Sequence, residues 1–169
     1  AASAKSAIAN SELAEAFTPD AGKPEQTLLW QEGEIWLRSR PDFLTNDGNL
    51  IIDLKTTTGS AEPNAWIRTM LGTGAAIQAA LGLRGLRHLL KAKDPKFIFV
   101  VVEQAAPYAV SFIGLAPQFQ EMADHALDRA IQLWSDCSSM NVWTGYPNRV
   151  CWMEPPAFAW NQEMESQHE

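Results

Sequence analysis

Asp42, Asp53 and Lys55 are the residues of this chain whose types and spacing suit them best to chemistry. They stand in Arg40-Pro41-Asp42-Phe43-Leu44 and in Ile51-Ile52-Asp53-Leu54-Lys55-Thr56-Thr57. Two carboxylates supply oxygen ligands for a hard divalent cation. A lysine beside them can orient an attacking water or meet the charge that develops on a phosphate. That is the minimum set for hydrolysing a phosphodiester. An isolated Asp-x-Lys is weak evidence, because the same pattern decorates solvated edge strands. Here Ile51, Ile52 and Leu54 flank it, so the charges lie at the margin of a core. Charges in such a place need a partner or a metal.

The elements needed to assemble this set are legible. Residues two apart on a strand share a face, so Asp53 and Lys55 point together while Ile52 and Leu54 point away. Asn46-Asp47-Gly48-Asn49 is a turn signal,. It folds the strand ending near Asp42 back against the strand carrying Asp53, so the two carboxylates meet. Residues 1–17 read as helix and 19–24 as loop. Leu28–Trp30 and Ile35–Arg40 read as strands joined at Gly33, and Leu50–Lys55 as the next strand. A loop over 59–64 leads to a helix opening at Trp66, interrupted at Gly72 and Gly74, and to a second helix over 75–90. Phe97–Glu103 is the most apolar strand and is expected at the centre of the sheet. A turn at Ala105-Ala106-Pro107 joins it to Ala109–Leu115. Pro117 starts a helix to about Asp136, after which the pattern is irregular. This order predicts an α/β fold bordering on α+β, with a central mixed sheet flanked by helices.

Length and charge narrow the class. The 169 residues suffice for one domain with a real core,. No apolar run is long enough to span a bilayer, and no secretory signal is seen. Cys137 and Cys151 are too few for a disulfide framework or a zinc site and read as buried thiols in a reducing cytoplasm. The net charge of −7 argues against a protein that coats nucleic acid,. Its distribution tempers that objection. Residues 1–34 hold 6 acids and 2 bases, 154–169 hold 4 acids and no Lys or Arg, and 35–153 hold 11 bases and 10 acids, a local balance of +1. Arg84, Arg87, Lys91, Lys93 and Lys96 form a basic cluster that suits either a solvated helix end or a DNA backbone.

The chain resembles the PD-(D/E)xK nuclease superfamily, and within it the nuclease domain of RecE, the exonuclease VIII type of phages and prophages. The resemblance rests on Arg40-Pro41-Asp42, Asp53-Leu54-Lys55-Thr56-Thr57 and Ile77-Gln78-Ala79-Ala80. It continues through Phe97–Glu103, Pro107-Tyr108-Ala109-Val110, Trp134-Ser135-Asp136-Cys137 and Trp143, over roughly residues 28–160,. It implies a restriction-endonuclease-like core, a single nuclease domain over 1–161 and a flexible acidic tail over 162–169. Asp42 and Asp53 match the metal-binding acids, the Leu54 carbonyl a further ligand, Lys55 the catalytic lysine and Gln78 the glutamine near the site. Arg40, Thr56, Thr57 and Arg68 are candidates for contacts to DNA phosphates. The family activity is 5′-to-3′ digestion of one strand of linear double-stranded DNA for recombination. Mg²⁺ is the implied cofactor, with Mn²⁺ as a substitute. The implied partners are a single-strand annealing protein and further copies in a homo-oligomeric ring, in the cytoplasm of a bacterial host and away from membranes.

Some residues depart from this pattern. The family helix carries a tyrosine four residues after the glutamine, where this chain has Gly82. A histidine-bearing helix expected upstream has no match, so the chain is expected to lack an upstream helical segment. His88 reads as a solvated member of the basic cluster, His125 as a helix-surface residue and His168 as part of the tail. Glu103 reads as a further acid in the cleft or a strand-end salt bridge. Trp134, Trp143, Trp152 and Trp160 read as core or subunit contacts rather than base-stacking platforms. Two alternatives to an exonuclease follow: a non-catalytic DNA-binding or assembly module of the same fold, and an endonuclease of the superfamily.

Overall fold

The protein's structure, a computed structural model, describes residues 2–18 and 20–166. The chain divides into two compact units, residues 1–135 and 136–169. Every element that bears on Asp42, Asp53 and Lys55 belongs to the first.

That unit is built on a five-stranded mixed sheet. Its strands are β1 (Gly22–Pro24), β4 (Phe43–Thr45), β5 (Leu50–Thr57), β6 (Lys96–Glu103) and β7 (Val110–Gly114), in that spatial order. Strands β5 and β6 run parallel, with Leu50 opposite Lys96 and Thr57 opposite Glu103; the other pairings are antiparallel. A parallel pair needs a long crossover, and two helices supply it: α2 (Pro63–Thr73) and α3 (Ala75–Leu90). Gly74, at φ +73°, ends the first in the left-handed region and begins the second, as glycine permits. The break expected at Gly72 and Gly74 falls at Gly74 alone; Gly72 lies inside α2. The strands β2 (Leu28–Glu32) and β3 (Ile35–Ser39) pair with each other and stay outside the main sheet.

The core lies where α2, α3 and the β2–β3 hairpin meet the sheet. Ile51, Phe97, Phe99 and Val101 face it from the strands, with Trp66, Met70, Ala79, Leu83 and Leu86 from the helices and Leu28 and Trp30 from the hairpin. Each fully buried large side chain contributes about 1.5–3 kcal/mol. The small residues of α3 allow close approach. A Cβ at Gly82 would lie 3.0 Å from Ile51 Cδ1 and 3.2 Å from Phe97 Cε2, and one at Gly85 would lie 2.9 Å from Trp30 Cζ3.

Several local expectations are corrected. The single helix expected over 1–17 is, within residues 2–17, two pieces, α1 (Ala2–Ala9) and a 3-10 turn (Ala14–Phe17). The loop expected over 19–24 contains β1, an edge strand completed by Pro24, which has no N–H to pair,. No strand ends at Asp42; β3 stops at Ser39, and the separate strand β4 begins one residue after Asp42. The helix from Pro117, α4 (Pro117–Met140), outruns its expected end at Asp136.

The second unit contains the end of α4, an irregular run and α5 (Ala157–Ser166). Flexible chain was expected from residue 162, whereas α5 continues to Ser166. Trp134, Trp143, Trp152 and Trp160 are exposed, so a core role for them is ruled out; the buried tryptophans are Trp30 and Trp66. Cys137 is buried, but Cys151 is exposed, against the expectation of two buried thiols. His168 lies outside the described residues. Among the described residues, no helix is long and apolar enough to cross a membrane.

Candidate active site

The approach of Asp42 to Asp53 follows from one turn. Asp47 Oδ1 accepts the Asn49 N–H at 3.1 Å and a hydrogen bond from Thr45 Oγ1, while Gly48 takes φ +69°. The Thr45 hydroxyl first, and the Asn49 N–H after it, hold the Asp47 carboxyl below the usual range. This turn pairs Phe43 with Ile52 and Leu44 with Ile51. One further step of the same register brings Asp42 level with Asp53. Asp42 Oδ2 then accepts the Leu54 N–H at 2.8 Å. On an extended strand, the carbonyl of a residue points to the same edge as its N–H. The Leu54 carbonyl therefore shares the edge where Asp42 sits.

Asp53 is the buried member of the pair, at 2% exposure. Gln78, from the first turn of α3, donates Nε2 to Asp53 Oδ1 at 2.6 Å. Lys55 donates Nζ to Asp53 Oδ2. Burial pushes the Asp53 carboxyl above its usual range; the Lys55 ammonium opposes this, the Asp42 charge adds to it, and Gln78 opposes it weakly. Ionised Asp53 is thus held against a net cost, the condition under which a nearby cation is most welcome.

The donor set fits a hard cation. Asp42, Asp53 and the Leu54 carbonyl are all oxygen ligands, which favours Mg²⁺ or Mn²⁺ over softer metals. Among the described residues there is no group of three or more His, Cys, Asp and Glu able to hold a metal. The remaining coordination would therefore fall to water and substrate phosphate, as is usual for Mg²⁺.

The other expected residues fare differently. Arg40 is exposed, and its Nε pairs with Glu25 at 3.0 Å. Thr56 Oγ1 accepts from Gln104 Nε2 at 3.1 Å, and Thr57 Oγ1 accepts the Gly59 N–H at 3.1 Å, so both hydroxyls brace the strand end. Arg68 is exposed on α2, away from the stripe where Trp66 and Met70 are buried. Glu103 anchors a loop through one carboxylate oxygen. Its Oε1 accepts the Ala61 N–H at 2.8 Å, while Ser111 donates to the Ala61 carbonyl, so the buried Ala61 peptide is clamped on both sides. The basic cluster is partly consumed: Arg84 is shared between Glu32 and Asp128, and Lys96 pairs with Asp94. Gly82 is explained by packing, because a tyrosine there would drive into Ile51 and Phe97. Phe99, under the Lys55 ammonium, and Trp66, packed on Phe99, escaped the sequence reading; the available signal was the alternation of Phe97 and Phe99 on one strand face.

A cavity of about 610 Å³, lined by Leu83, Arg87, Phe97 and His125 among others, contains none of the four residues gathered at Asp53. A polymer substrate is met on an open surface, so cavity volume does not locate this site.

The model of one family, described as a PDDEXK-like domain of unknown function (DUF3799), matches residues 1–152. The chain belongs to this family. Its five-stranded mixed sheet with flanking helices is the restriction-endonuclease-like fold of the PD-(D/E)xK nuclease superfamily. Among solved structures, the chain is similar to one described as a candidate exonuclease from Eubacterium rectale, with a TM-score of 0.65 and 13% identity. The match covers 94% of this chain and 63% of that one, so the chain spans less than two thirds of its neighbour's length. No curated protein matches.

Proposed function

We propose that this chain is a Mg²⁺-dependent deoxyribonuclease, a 5′-to-3′ exonuclease of the RecE type acting on linear double-stranded DNA in recombination. The observation that carries the reading is the convergence of Lys55, Gln78 and Asp42 on the buried Asp53 carboxylate. Membership of a PDDEXK-like family supports nuclease chemistry. The name of the structural neighbour favours exonucleolytic action, and the resemblance to RecE favours the polarity.

In this reading Asp42, Asp53 and the Leu54 carbonyl hold the cation. Mg²⁺, or Mn²⁺ in its place, would polarise the scissile phosphate and lower the pKa of a bound water. The chain's own residues do the rest. The Leu54 N–H holds Asp42 Oδ2, and Oδ1 is the oxygen that would serve a cation. Gln78 fixes the Asp53 carboxylate through Oδ1. Lys55 places a positive charge where the attacking water and the phosphate oxygens gather, and it stabilises the charge that develops there. Arg40 and Arg68, both exposed, meet the DNA backbone beyond the site in this reading, while Thr56 and Thr57 brace the strand that carries Lys55. The partners are double-stranded DNA, a single-strand annealing protein and further copies of the chain in a ring, in the cytoplasm of a bacterium carrying a phage or prophage.

The test is digestion of linear 5′-phosphorylated duplex DNA with Mg²⁺, with covalently closed circular DNA alongside. Loss of the linear substrate alone is expected. Loss of both would make the chain an endonuclease, and loss of neither would make it a non-catalytic module of the same fold.

A further inference from the structure

The Lys55 ammonium has two partners, and a bound cation would compete for only one of them. The first is Asp53 Oδ2. The second is the ring of Phe99, whose centroid lies 5.7 Å from Lys55 Nζ. That is within the range of a cation–π attraction. Phe99 sits on β6 directly opposite Asp53 in the parallel register, and it is fully buried. Two aromatic neighbours fix its ring: Phe97 with centroids 4.8 Å apart, and Trp66 of α2 at 5.5 Å. Trp66 is itself 2% exposed.

Asp53 cannot give the same oxygen fully to a cation and to Lys55. An ammonium on a four-carbon stem that loses part of its anchor gains freedom to swing away. The Phe99 ring attracts the ammonium through its negative face yet offers no ligand atom to a metal. We infer that Phe99, braced by Trp66, is a positioning residue that keeps Lys55 over the carboxylates while Asp53 serves the cation. The inference rests on the nuclease reading of Asp42, Asp53 and Lys55. It also gives α2 a link to the chemistry, since Trp66 carries the position of that helix to Lys55 through a single ring.

A Phe99 that merely filled the core would do its work through shape. Fluorination separates the two roles, because it drains the negative face of the ring with little change in size. The experiment places mono-, di- and trifluorinated phenylalanine at position 99 of the full chain, with Phe99→Leu beside them, and reads two signals. The first is the NMR shift of the Cε protons of the six lysines. One signal, identified by its loss in Lys55→Met, is expected upfield of the others from the ring current and stays upfield when Mg²⁺ is added. In Phe99→Leu it joins the rest. The second is the rate on linear duplex. Each added fluorine is expected to lower kcat, by about tenfold at the trifluorinated ring, with KM nearly constant. A Lys55 signal that leaves the upfield position in the parent on adding Mg²⁺ overturns the inference, as does a kcat that is flat across the fluorinated series. A parent that cuts no DNA overturns the nuclease reading, and with it the catalytic meaning of the placement, whatever the lysine signal shows.

Discussion

Asp53 is placed where a carboxylate is costly and useful at once. Its folded-state carboxyl titrates above its usual range, chiefly because it is buried. The sign of the linkage follows. The stability associated with neutral Asp53 is fully present below the unfolded value, about 3.9. It is lost as pH rises through the raised folded value. In EDTA, Asp53→Asn should therefore melt higher than the parent near pH 8, and the gap should close at about pH 3.5, where both side chains are neutral. Gln78 can turn its amide to meet the new NH₂, so the substitution leaves no donor facing a donor. Adding Mg²⁺ should raise the parent's Tm and leave that of Asp53→Asn unchanged. Equal melting of the two in EDTA at pH 8 would show that burial of Asp53 carries no net cost. Cleavage should fall at least about a hundredfold in Asp53→Asn and in Lys55→Ala, with the fold retained in both. Single-turnover rates check this, and a fully active Lys55→Ala would remove that residue from the chemistry. The sequence exposed Asp42, Asp53 and Lys55 because motif residues keep their order along the chain. It hid Phe99, Glu103 and Trp66, because an aromatic or an acid on an apolar strand looks alike whether it fills a core, clamps a loop or faces a lysine.

At the scale of elements, the small residues of α2 and α3 make opposite predictions from one residue type. Gly72 has open space where a Cβ would stand and no positive φ, so Gly72→Ala should gain helix propensity alone, about 0.5–1 kcal/mol,. Gly85 would push its Cβ to 2.9 Å from the buried Trp30 ring, and overpacking of that kind costs about 1–3 kcal/mol,. Gly85→Ala should thus lower the urea midpoint and Gly72→Ala raise it, at unchanged slope. If Gly85→Ala is as stable as the parent, the hairpin does not pack on α3 as closely as described. These contacts also mark how far the elements could be read from sequence. The helices and long strands have strong periodicity, and Gly74 is a clear stop. The three-residue strands β1 and β4 carry almost no period. The Asn46–Asn49 turn folds β4 onto β5, and β4 in turn pairs with β1, a tertiary cause that no local pattern records,.

At the scale of the whole molecule, the uneven distribution of apolar surface bears on the proposed ring. Residues 136–166 carry Tyr146, Trp152, Met153 and Phe158 at 101%, 89%, 87% and 74% exposure. Side chains of this kind and number are normally covered by a partner. The expected cover is a second copy, because a closed ring needs each chain to offer a surface to its neighbour. Light scattering on the eluted protein should then give a multiple of the chain's 18.7 kDa. Trp152→Ser combined with Phe158→Ser should lower that mass without lowering the helical content of the chain. The same pair should shift the parent's tryptophan emission, since Trp152 leaves the set and its neighbours become wetter. Processive digestion of long duplex should decline in the variant more than single-turnover cleavage of a short one, because enclosure keeps the enzyme on its track while Asp42, Asp53 and Lys55 remain intact. A parent that elutes at the mass of one chain at micromolar concentration would refute the ring and leave these aromatic residues to a different partner.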